Sequence, residues 1–133
     1  MTKITVATYR AALLDNGYDL ISGNVKIAAM SSSYTYSAAH DFHSDLTNII
    51  TTSGNLASKT NTDGWFDFAD ISLGSPAGGS TITQCAVFLD TGTSATSPLV
   101  YYFNETFSGG AISIATDGTA ITFVVPSGGL FRV

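Results

Sequence analysis

The sequence predicts a mainly β protein: a β-sandwich or jelly-roll-like body with an N-terminal helix and one short second helix. Three observations lead there. Short β-branched and aromatic runs recur about seven or eight times, with Gly, Pro, Asn, Asp and Ser breaking them roughly every eight to twelve residues. The chain of 133 residues suits one domain spanning 1–133, with no linker and no internal repeat. Hydrophobic residues make up 44% and charged residues only 11%, so the chain has the material for a core and a surface made largely of hydroxyls or covered by neighbours.

The elements follow in order. Over residues 2–16, Ile4, Ala7, Ala11 and Leu14 recur at helical spacing, and Gly17 is placed to end the helix. "NVKIAAM" (24–30) is the first strand, with Val25, Ile27 and Ala29 on one side. After the hydroxyl-rich "SSSYTYS", Ser37 reads as an N-cap. "AAHDFHSDL" then reads as the short second helix, with Ala39, Phe42 and Leu46 inward and His40, His43 and Asp45 mainly outward. "NIITTSG" and "LASKTNT" read as strands split by Ser53-Gly54. "GWFDFADISL" alternates Trp65 and Asp67 against Phe66 and Phe68, and "GSPAGGS" is a loop. "TITQCAVFLD" is the best central strand and "PLVYYFNETF" follows it. "AISIA" and "TAITFVV" read as a hairpin joined through Thr116-Asp117-Gly118, and "GLFRV" is the last strand.

Charge and cysteine content narrow the function classes. The net charge is −5, and Lys3, Arg10, Lys26, Lys59 and Arg132 are scattered rather than striped. That argues against direct nucleic-acid binding and against a polybasic membrane anchor. The longest apolar runs fall far short of the roughly 20 residues that span a bilayer, and the first residues do not read as a signal peptide. Cys85 is the sole cysteine. It lies inside a strand-like run with no basic neighbour in sequence, so it reads as a small core hydrophobe.

Two clusters carry ligand-like chemistry. His40, Asp41, His43 and Asp45 have metal-binding side chains, but no further His or second Cys exists to complete a converging set, so a solvated face is the simpler reading. Asp63, Asp67 and Asp70 accompany Trp65 as carboxylates do in a sugar groove. Nothing in the sequence raises a pKa among them, and an exposed edge explains them equally. No phosphate-loop pattern is present. The expectation is therefore no catalysis, no metal and no cofactor. Tyr34, Tyr36, Tyr101, Tyr102 and Trp65 are of the kinds enriched at protein interfaces.

Several segments together resemble a family of small structural proteins encoded by tailed bacteriophages. They are Val25 to Ala28, Tyr34-Thr35, His40 with Phe42 and Ser44-Asp45, Ser53 to Gly64, and above all Asp90 to Leu99, "DTGTSATSPL". The chain departs from the family pattern near its end, where "GTAITFVV" stands and an expected Trp is absent. The resemblance implies a virion component made in the host bacterial cytoplasm. Its first role would be capsid decoration or cement against the major capsid protein; its second, a tail, connector or fibre-associated role in adsorption. Closed symmetry at threefold capsid positions would make it a homotrimer. On that view Thr93, Ser94 and Thr96 lie on an outward loop that contacts a neighbouring subunit. Tyr34, Tyr36 and Phe131 are further candidates for partner contact.

Overall fold

The computed structural model describes residues 3–6, 9 and 18–132. In chain order the strands are β1 (Lys3–Thr5), β2 (Val25–Met30), β3 (Ile49–Thr52), β4 (Thr60–Thr62), β5 (Trp65–Asp67), β6 (Ile71–Ser72), β7 (Thr81–Ile82), β8 (Gln84–Leu89), β9 (Leu99–Phe103), β10 (Ile114–Ala115), β11 (Thr122–Phe123) and β12 (Phe131–Arg132). Five of them form an antiparallel sheet in the order β1-β9-β8-β2-β3. Three smaller antiparallel sheets are β12-β5-β4, β11-β6 and β10-β7. The protein is mainly β, as expected.

The large sheet is covered on both faces, which explains why its strands read as near-continuous apolar runs. On one face Val25, Ile27, Ala29, Cys85, Val87, Tyr101 and Phe103 join the main core. The smaller sheets bring Phe66, Phe68, Leu73, Ile82 and Phe131 to it. On the other face Ala28, Met30, Ala86, Phe88, Leu99 and Tyr102 pack against Tyr34 and Leu46 from the segment that follows β2. Alternation along each strand sends neighbours to opposite faces. A bulge opposite Val87/Phe88 interrupts it on β9, so Val100 and Tyr101 both reach the main core.

Three expectations are corrected. The helix over 2–16 does not begin where its spacing placed it: Lys3–Thr5 is an edge strand pairing Ile4 with Tyr102. Ile4 and Thr5 are β-branched, and the open edge of β9 offers hydrogen bonds that outweigh a helical spacing of apolar residues. Positions 2, 7–8 and 10–16 of that expected helix lie outside the described residues. The second helix is reduced to a 3-10 turn, His43–Asp45. The Asp45 carboxylate accepts the Asp41 and Phe42 backbone N–H groups at 2.9 and 3.0 Å, satisfying them locally, and Phe42 is drawn into a bridge with Pro98. Leu46 is buried as expected, whereas Ala39 is exposed.

The hairpin through 116–118 does not form either. β10 pairs with β7 and β11 with β6. Thr116 is buried, and its hydroxyl donates to the Ala77 and Ser80 carbonyls, so this turn is tied to the preceding loop instead. The tight hairpin lies at Asp63-Gly64, where φ values of 52° and 83° and the Thr62–Trp65 pairing define a two-residue turn between β4 and β5.

Candidate functional site

The loop from Asp90 to Pro98 joins β8 to β9, the second and third strands of the large sheet. Its base is pinned from several sides. The Asp90 carboxylate forms an ion pair with Lys26 at 2.7 Å and accepts the Gly92 N–H at 2.8 Å. The Lys26 hydrogen bond, then the Gly92 N–H, holds that carboxyl below the usual range. The Asp90 N–H donates to the Asn24 carbonyl at 2.7 Å, and His43 N–H donates to the Ser97 carbonyl at 2.7 Å.

Inside the loop the hydroxyls serve one another. The buried Ser97 hydroxyl accepts the Thr91 N–H at 3.0 Å and donates to the Thr93 carbonyl at 2.8 Å. The Thr91 and Thr96 hydroxyls are 2.6 Å apart. A 3-10 turn over Ser94–Thr96 closes the tip. Residues 91–96 are all exposed. The abundance of Thr and Ser therefore has a local cause: a connection this long without an apolar anchor is held by side-chain to backbone bonds.

The sequence-predicted partner residues separate into four places. Thr93 and Ser94 project exposed hydroxyls from the loop tip, while the Thr96 hydroxyl is taken up within the loop. Tyr34 is 3% exposed, and its hydroxyl lies 2.8 Å from His40 Nδ1. Burial first, then the nearby Tyr102, pushes its phenol pKa up. Tyr36 is half-buried and stacks on Tyr102 with ring centroids 4.5 Å apart. Phe131 is 4% exposed, stacked on Tyr101 in the main core, on the opposite face of the large sheet from Tyr34. Tyr34 and Phe131 thus spend most of their side-chain surface inside the protein. Both are aromatic residues beside strands that the two-sided core absorbs.

Among the described residues no group of three or more His, Cys, Asp or Glu side chains could hold a metal. His40 is engaged by Tyr34, His43 packs on Phe88 with ring centroids 4.4 Å apart, and Asp45 closes its own turn. Burial lowers the His43 pKa; the Lys26 charge adds to this and the Asp90 charge opposes it. Burial pushes the Cys85 thiol up to about 12, as suits a core residue.

A second feature is an open cleft of about 920 Å³ over the outer face of β12-β5-β4. The pairings Thr62–Trp65, Thr60–Asp67 and Arg132–Trp65 set these side chains on one face, with Phe66 and Phe131 on the other. Trp65 is 40% exposed. Gly129 lies against its base: at φ +124°, an added Cβ would sit 2.8 Å from the Phe66 carbonyl oxygen. Sequence reading singled out Trp65, Asp63 and Asp67 but missed Arg132 and the threonines. The Asp-Gly pair between them was the available signal, because a two-residue turn fixes the register that brings them together.

Compared with protein-family models and with curated proteins, the chain matches none.

Proposed function

We propose that this protein is a non-enzymatic structural component of a tailed-bacteriophage virion, a decoration or cement protein that stabilises the shell by bridging neighbouring major capsid protein subunits. The observation that carries the reading is the Asp90–Pro98 loop, whose 91–96 stretch is exposed, uncharged and internally braced. A loop already fixed in shape loses little conformational entropy on docking, and an uncharged tip has little to desolvate. The same stretch is the most specific part of the resemblance to phage structural proteins. Thr93 and Ser94 are the contact residues on this reading, with Tyr36 a further contact at the opposite end of β8 and β9. A β-sandwich body, a homotrimer at threefold positions and many small interfaces adding through multivalency complete the proposal. It requires no cofactor, no membrane and no nucleic acid.

The test is copy number in purified virions, measured by quantitative mass spectrometry against the major capsid protein. A ratio of one, or a simple fraction of it, is the expected result. A far smaller ratio moves the protein to the tail or portal vertex, and complete absence overturns the virion reading.

A further inference from the structure

We propose that the cleft over β12-β5-β4 is a binding site for a neutral carbohydrate, with Trp65 as its stacking platform. The inference stands independently of the virion reading. Protein side chains that bury an exposed aromatic ring usually stack on it, yet no ring contact is made to Trp65 among the described residues, although twelve other aromatic pairs form. The indole is the largest side chain of β5 and lies at 40% exposure in a cleft of about 920 Å³, within the size range of small-molecule sites.

The groups around the ring define the ligand. Among the described residues the Asp63 carboxylate makes no bond, and residue 63 is exposed. Asp67 uses one oxygen for the Phe68 N–H at 2.9 Å, and its other oxygen has no partner among the described residues. Arg132 donates its Nε–H to the Asp63 carbonyl at 3.0 Å, which fixes the guanidinium; its outer N–H groups have no partner among the described residues. The Thr60 and Thr62 hydroxyls are exposed on the same face. Acceptors, donors and groups that do both therefore surround one flat apolar surface.

A pyranose ring has the complementary form, with an apolar C–H face and a rim of hydroxyls that each donate and accept. Carboxylates and a guanidinium bond vicinal hydroxyls two at a time. A nucleobase would also stack on the indole, but its phosphates would find Lys3 and Arg132 offset by Asp63 and Asp67, on a chain of net charge −5. Lys3 and Arg132 line the cleft together with Asp63 and Asp67, so its charges balance and favour neither an acidic nor a basic sugar, which makes the predicted ligand neutral.

Trp65 is the only tryptophan of the chain, so its fluorescence reports on the cleft directly. The full chain would be titrated with maltohexaose, cellohexaose, chitohexaose and mannohexaose, and with a heparin-derived hexasaccharide as the anionic comparison. A saturable emission change with at least one neutral hexasaccharide, and none with the anionic one, is expected. Calorimetry on Trp65→Ala, Asp67→Asn and Arg132→Gln should show binding weakened at least ~10-fold in each, the loss typical of a central contact. Unchanged melting temperatures in the two polar variants would separate that loss from misfolding. The proposal is overturned if no neutral hexasaccharide gives a saturable change up to roughly 10 mM, beyond the millimolar affinities of weak sites. Tighter binding of the anionic sugar, or undiminished binding by Trp65→Ala, overturns it equally.

Discussion

Gln84 is the polar residue on which the inner face of the molecule turns. It is 5% exposed, donates to the Ser31 and Tyr34 carbonyls at 2.6 Å each, and accepts the Tyr102 hydroxyl at 2.6 Å. No buried side-chain polar atom among the described residues is left without a partner. Gln84→Leu would take a donor from the Ser31 and Tyr34 carbonyls and an acceptor from the Tyr102 hydroxyl, so equilibrium urea unfolding should show a loss of about 1–3 kcal/mol. His43 gives a pH signature. Its folded pKa lies below the usual 6.5, so the unfolded chain takes the proton first. The stability tied to neutral His43 is full above pH 6.5 and is lost as pH falls through the lower folded value. Asp45 and Asp90, both held below 3.8, lose their contributions only further into acid. Melting temperature should therefore fall in two steps on acidification, and His43→Phe should remove the first alone. A profile unchanged by that substitution would show that His43 does not titrate on unfolding.

Among the elements, the Asp90–Pro98 loop has the clearest consequence. Deleting Ser94–Thr96 removes the 3-10 turn and Thr96, but leaves Asp90, Lys26 and the β8–β9 pairing in place. The shortened chain should fold with a modestly lower melting temperature and lose incorporation into virions; normal incorporation would rule out the loop as the contact. The strands were legible wherever β-branched and aromatic residues ran together: β2, β3, β8 and β9 lie inside the segments that composition picks out. Failures came where a local signal competed with distant partners. The spacing of Ile4, Ala7, Ala11 and Leu14 said helix, but β9 needed an edge partner. Asp117-Gly118 looked like a hairpin turn, yet the strands around it pair elsewhere. Asp63-Gly64, with the same turn chemistry, does make a hairpin. The cleft was half legible: Trp65 and the aspartates stand out in the sequence, whereas Arg132 arrives only through the pairing of β12 with β5.

For the molecule as a whole, sparse charge and two-sided burial belong together. With both faces of the large sheet covered, most of the apolar content is spent internally, and the surface falls to short strands and loops rich in Thr, Ser and Gly. Only two ion pairs form among the described residues, Lys3 with Glu105 and Lys26 with Asp90. Both are partly exposed, and pairs of that kind contribute roughly 0–1 kcal/mol each, so they place segments more than they stabilise the fold. A surface that repels little of either sign suits close packing beside identical neighbours.

The sheet order also governs how the chain comes into being. Lys3–Thr5 must find Tyr101–Phe103, which are made about a hundred positions later. Until then the β-branched N-terminal segment has no edge to join, and β2, with β3 on one side, waits for β8 on the other. Pairings this distant make for slow folding. A nascent chain stalled before Leu99 would carry β8 with one side unpaired, and that open edge is the surface most prone to premature association.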